Sequence, residues 1–176
     1  MSFTRRPALT IILLLAACGG SERPSAGDAI TPEPATTRRP LRDSVQLTVT
    51  ADVDGARSTY RGLGECHHTP AASIYDVPAS MWSAGAEAGG LRYVNPTLWQ
   101  PRGAGEMQVS LGLTAGGHTH QIATVKGADP RGTGNGRVEP SGAGGSLHVE
   151  GKDADGRDVR LTVECTRWTE PVAEGG

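Results

Sequence analysis

The chain has 176 residues, 17 basic against 19 acidic, and only seven aromatic residues set beside 25 glycines and 12 prolines. A formal net charge of −2 gives no basic footprint for nucleic acid or for an anionic bilayer surface, so partners of those two kinds are not expected. No apolar run approaches the ~20 residues that a spanning helix needs.

The N-terminus sets the organisation. Arg5 and Arg6 precede the apolar run Ala8-Leu9-Thr10-Ile11-Ile12-Leu13-Leu14-Leu15, and Leu15-Ala16-Ala17-Cys18 follows directly. A basic start, a short apolar middle and small residues before a cut have the layout of a secretory signal peptide over residues 1–17. With Cys18 next in line, the segment resembles the lipobox of bacterial lipoproteins. The resemblance implies lipidation of the Cys18 thiol, cleavage ahead of it, and a membrane anchor made of lipid alone. Two or three acyl chains hold a protein stably where one does so only marginally. It implies a place in the cell envelope as well. Gly19 rather than an aspartate after the cysteine points to the outer membrane or cell surface in a Gram-negative host, with the domain in the periplasm or exterior. Cleavage there removes Arg5 and Arg6 and no acid, so 17 basic residues become 15 against 19 acidic ones, a net of −4.

Residues 18–43 read as the lipidated N-terminus and a linker. Pro24, Pro32, Pro34 and Pro40 stand among Ser, Thr, Ala and Arg with no apolar periodicity, so the segment has too little to bury to become ordered. Strand signals start at Val45. From Val45 to Val53 apolar and polar residues alternate strictly, the mark of a half-buried strand, and Asp54-Gly55 supplies a hairpin turn. Tyr60 to Cys66 follows as a second strand, loosened by Gly62 and Gly64.

The middle is less regular. Ile74-Tyr75-Asp76-Val77-Pro78 reads as a short extended piece or a turn of helix, and Ser80 to Ala84 as a short strand. Leu91 to Val94 and Thr97 to Trp99 read as extended, with Pro96 and Pro101 confining them to edges or ends. Clean alternation returns at Met107 to Leu113, then Gly116-Gly117 turns into His118 to Val125. Arg137 to Glu139, Ser146 to Glu150 and Val159 to Cys165 complete the set. Short strands spaced by Gly, Asp-Gly and Pro turns, with no amphipathic helix among them, predict an all-β antiparallel β-sandwich of about 8–9 strands over residues 44–170. Residues 171–176 are left as a tail.

With Cys18 carrying lipid, Cys66 and Cys165 form an even pair in an oxidising compartment, and a disulfide is favoured over free thiols or metal ligands. Cys165 shares phase with Val159, Leu161 and Val163, so the bridge is expected inside, tying the second strand to the last across the core. Gly64-Glu65-Cys66-His67-His68, Ile74 to Pro78, Thr97-Leu98-Trp99 and Gly151 to Gly156 look similar to passages in small uncharacterised exported proteins of environmental bacteria. That resemblance implies a shared domain and carries over no activity.

His118 and His120 lie two apart on one strand and so share a face; with His67 they form the candidate zinc or copper set. Against it, His67 and His68 point opposite ways if extended, and no third ligand has a fixed spacing. Asp153-Ala154-Asp155-Gly156 lacks the further oxygens and the glutamate of an EF-hand loop, and reads as a hairpin turn. Gly132-x-Gly134-x-Gly136 has neither the spacing nor the helix of a dinucleotide fingerprint. No Gly-x-Ser-x-Gly elbow is present. Trp82 and Trp99 read as core anchors, and Trp168 as the tryptophan that offers a contact surface. The expectation is a lipid-anchored, non-enzymatic domain without cofactor that binds an envelope protein or small ligand or serves the envelope structurally. A metal-binding lipoprotein comes second and a hydrolase third.

Overall fold

The computed structural model describes residues 44–171. The leader, the lipobox and the linker, and residues 172–176 of the expected tail, lie outside the described residues.

Nine strands follow in order: β1 (Val45–Val53), β2 (Ala56–Ile74), β3 (Val77–Ala88), β4 (Leu91–Pro101), β5 (Gln108–Ala115), β6 (His118–Ala123), β7 (Thr133–Ser141), β8 (Gly144–Lys152) and β9 (Asp158–Cys165). The β1 alternation is realised residue for residue: Val45, Leu47, Val49 and Ala51 are buried and the residues between them are not. Five of the connections are two-residue loops: Asp54-Gly55, Tyr75-Asp76, Gly89-Gly90, Gly116-Gly117 and Gly142-Ala143. Asp54 and Gly55 both take positive φ, 49° and 84°, the twist that matches a right-handed strand pair. Tyr75 and Asp76 do the same at 46° and 63°, so Ile74 to Pro78 is a hairpin turn and not an extended piece or helical turn. The absence of glycine there hides the signal.

All nine strands belong to one antiparallel sheet, ordered β6-β5-β4-β3-β2-β1-β9-β8-β7. This departs from the two separate sheets of the expected sandwich. The physical cause lies at β2, a strand of 19 residues whose first half, residues 56–64, pairs with β1 and whose second half, residues 65–74, pairs with β3, so one strand carries the sheet from one half to the other. The sheet curls until its two ends approach, which makes it barrel-like and nearly closed. Gly134 of β7 lies on Ile122 of β6, and Gly136 on Leu98 of β4 and Val109 of β5, so near that a Cβ at Gly136 would stand 2.7 Å from Leu98 Cδ2. The glycine spacing that fails as a nucleotide motif thus has a packing role: it gives β7 a face thin enough to rest its backbone directly on the side chains of the opposite end.

Nine is an odd number, and this fixes the seam. With every neighbouring pair antiparallel, β6 and β7 run in the same direction and cannot close with an antiparallel ladder. Instead the segment between them turns back on β6: Ala123 and Arg131 exchange backbone hydrogen bonds of 2.7 and 3.0 Å.

The interior is filled by side chains, with Val49, Cys66, Leu98, Val109, Leu113, Val159 and Val163 wholly buried. A second, smaller cluster of Ile74, Ala79 and Val125, joined by Trp99 and Ala128, sits on the opposite face. It exists because β2 carries an irregularity between Thr69 and Ala72, while Val125 and Ala128 of the β6–β7 connection fold onto that face. Pro101 ends β4, as expected, but Pro96 is buried within β4, an interior strand. The β3 register has no partners between Val94 and Thr97, which is where a missing N–H removes no ladder bond.

Cys66 and Cys165 are bridged, with Cα atoms 6.2 Å apart and both residues buried. The bridge joins the second strand to the last, but beside β1 instead of across the core. Strands two places apart stand roughly 9–10 Å from each other, so β2 and β9 have converged where β1 begins. Past that point the chain after β9 takes the place of β1. The Thr169 N–H donates to the Cys66 carbonyl at 2.9 Å, the His68 N–H donates to the Thr169 carbonyl at 2.9 Å, and His67 and Thr169 form a parallel bridge.

Candidate functional site

Among the described residues only two polar or charged side chains are fully buried, His120 at 2 % and Asp153 at 3 % exposure, and they face each other. His120 Nδ1 lies 2.7 Å from Asp153 Oδ2. An ionised carboxylate only accepts, so Nδ1 carries the proton and donates. The other oxygen, Oδ1, accepts from the backbone N–H groups of Asp155 and Arg157, both at 2.9 Å. Burial is the largest single influence on the Asp153 carboxyl and pushes its pKa up. The hydrogen bond from His120, those from the Arg157 and Asp155 amides, and the His120 charge together outweigh it, so the carboxyl is held below the usual value of 3.8.

The pair works as a seam fastening. His120 sits on β6, Asp153 opens the β8–β9 connection, and the Ala154 N–H donates to the Gln121 carbonyl at 3.2 Å beside them. A sheet end that cannot be laddered is thus held by a charged hydrogen bond in a dry interior together with the Ala154–Gln121 and Ala123–Arg131 backbone bonds. A buried histidine and carboxylate at this distance also form the pair that orients a general base in hydrolases. Here the carboxylate is spent on closing its own turn, and the two cysteines are joined to each other.

The candidate metal ligands do not converge. His118 is exposed at the start of β6 while His120 points inward on Asp153. Three strands separate β6 from β2, where His67 Nδ1 lies 2.9 Å from Thr169 Oγ1 and Nε2 lies 3.7 Å from Glu65 Oε2. Among the described residues no group of three His, Cys, Asp or Glu side chains is placed to hold an ion. His68 stacks on Trp82 with ring centroids 4.6 Å apart and planes 5° from parallel, and burial lowers its pKa. Asp153 to Gly156 forms the turn expected of it, closed by Gly156 N–H to Asp153 carbonyl at 3.0 Å. Trp82 and Trp168 are half-buried against the main core and Trp99 against the smaller one. Trp168 is therefore shared between packing and surface.

A feature missed in the sequence is Tyr93. Leu91 and Val94 are both buried though three apart, because β4 holds one extra residue against each of its neighbours: Leu91 to Val94 spans Ala88 to Ala86 on β3, and Arg92 to Asn95 spans Thr114 to Gly112 on β5. Tyr93 sits in this bulge with φ 53°, a region that a bulky side chain rarely enters. The bulge turns its ring onto the outer face over Gly112, where an added Cβ would come within 2.8 Å of it, and leaves the residue 61 % exposed. Asn95, Thr97, Ser110, Gln121 and Arg131 surround it in a shallow cleft of about 240 Å³, with the Arg131 guanidinium donating to Gln121 Oε1. A second cleft, of about 340 Å³, lies between Pro70, Pro78 and Pro101, and a third, of about 350 Å³, along Asn135, Glu150 and Arg160.

No family model, curated protein or solved structure matches the chain.

Proposed function

We propose that the protein is a bacterial envelope lipoprotein, anchored through lipid on Cys18, whose disulfide-closed β domain is a non-enzymatic binding or structural module held off the membrane by residues 18–43. The observation that carries this is the order Arg5-Arg6, apolar run, Leu15-Ala16-Ala17-Cys18. The Cys66–Cys165 bridge agrees with an oxidising compartment. The filled interior supports recognition on the outside, since a ligand-carrying barrel keeps its cavity inside. The polar outer row of β1, Gln46, Thr48, Thr50 and Asp52, fits a water-facing domain better than the apolar outer band of a membrane barrel.

The test is partitioning. Wild-type protein in membranes is expected in the detergent phase, and Cys18→Ser in the aqueous phase or retained as unprocessed precursor. Detergent partitioning and processing unchanged in the Cys18→Ser variant would refute the anchor.

A further inference from the structure

We propose that the outer face of β4, β5 and β6 around Tyr93 is a carbohydrate-binding site that takes one pyranose ring against the tyrosine. It deepens the binding reading above and rests on it only for the domain's role, not for the lipid.

The geometry is that of an exposed aromatic ring set among polar side chains. Gly112 leaves a gap in the outer face between its cross-strand partners Asn95 and Gln121. The Tyr93 ring reaches into that gap, its Cε1 2.8 Å from where a Gly112 Cβ would stand, and at 61 % exposure the residue is open to solvent. An aromatic face is electron-rich and attracts the positively polarised C–H bonds on the flat side of a sugar. The hydroxyls around that side then need donors and acceptors in the same plane. The Asn95 amide and the Thr97 and Ser110 hydroxyls supply both kinds. Gln121 accepts from Arg131 through Oε1, and this fixes its NH₂ group as the end presented to a ligand. These residues form one lining, in a cleft of about 240 Å³ that suits a single ring better than a long chain.

The bulge supports a role beyond packing. An extra residue inserted against both neighbouring strands re-aims one side chain at the cost of ladder bonds, and a tyrosine at φ 53° adds conformational strain. A glycine would sit there without strain. What the tyrosine adds is an exposed ring.

The experiment uses the full-length chain, nitrogen-labelled, in a detergent without a sugar head group. Chitotriose, maltotriose and trigalacturonate are titrated to millimolar concentration while the Gly112, Asn95 and Gln121 amide resonances are followed. Saturable shifts at these amides with at least one probe are expected. Tyr93→Ala should weaken that binding about tenfold or more, as for loss of an aromatic anchor. Tyr93→Gly should abolish it while leaving the melting temperature unchanged or higher, which separates loss of the ring from loss of the fold. Asn95→Ala, on an exposed residue, is a second variant expected to weaken binding with no change in melting. Absence of saturable shifts with all three probes would overturn the proposal, as would binding that persists in Tyr93→Ala. Either failure leaves the Cys18→Ser partitioning result untouched, so the two readings fail separately.

Discussion

Replacing Cys66 and Cys165 together by alanine removes a cross-link spanning 99 residues of sequence. In the chain-entropy account a closed loop of that length stabilises by at most ~4.7 kcal/mol, and measured values fall lower, giving a range of roughly 2–5 kcal/mol. Local contacts place the effect within that range and not at its bottom. The bridge holds β2 and β9 together where β1 has yet to begin, and the segment at Thr169 is bonded to Cys66 and His68 only beyond that convergence. For a domain of this size the cost corresponds to a drop of about 5–20 °C in melting temperature. Calorimetry of wild type and double variant measures it, and hydrogen exchange reports the local consequence: the His68 and Thr169 amides should lose protection before the β8–β9 ladder does. Thiol titration of unfolded, unreduced protein should find no free thiol at these positions. Two free thiols, or a melting shift of only about 2 °C or less, would rule out a stabilising bridge.

The seam fastening leads to two further expectations. Asp153→Ala leaves His120 buried without its partner and should cost about 3–5 kcal/mol, read by denaturant titration. The Asp153 carboxyl has a lower pKa folded than unfolded, so its stabilisation is full above the ordinary value of 3.8 and declines as pH falls through the folded value. The stability gap between wild type and Asp153→Asn should therefore be flat near neutrality and narrow below about pH 4; a gap that widens on acidification would contradict the assignment. Gly136→Val forces side-chain atoms into Leu98 and Val109 and should destabilise by about 1–3 kcal/mol as an overpacked core, seen as a lower denaturation midpoint. Among the described residues no three ligands converge on an ion, so EDTA is expected to leave the melting temperature unchanged, whereas a fall of many degrees recovered by zinc or copper would restore the metal reading.

The parts legible in the sequence are those where a two-residue period meets one continuous core. Strand β1 and its Asp54-Gly55 turn are read correctly, and the alternation from Val159 to Cys165 places Cys165 inward. What escaped has physical causes. A bulge breaks the period, so Leu91 and Val94 look like the start of a separate piece when they belong to one strand of eleven residues. The Tyr75-Asp76 turn lacks the glycine that marks such turns. Whether nine strands make two sheets or one depends on β2 pairing first with β1 and then with β3, a long-range choice that no local pattern encodes. The His120–Asp153 pair joins residues 33 apart, yet half its signal was present. His120 shares a face with Ile122, and a face with isoleucine at its centre belongs to the core, so a histidine there calls for a buried partner. The same reasoning separates His120 from His118, which the strand's end leaves in water.

The lipid anchor is the claim on which the envelope assignment depends, and the mass of the N-terminal peptide of protein isolated from membranes tests it most directly. The expected peptide begins at Cys18, with residues 1–17 absent and the cysteine heavier by a diacylglyceryl group, with or without a further acyl chain on its amino group. A peptide that retains residues 1–17, or one beginning at Cys18 with an unmodified thiol, would contradict the anchor.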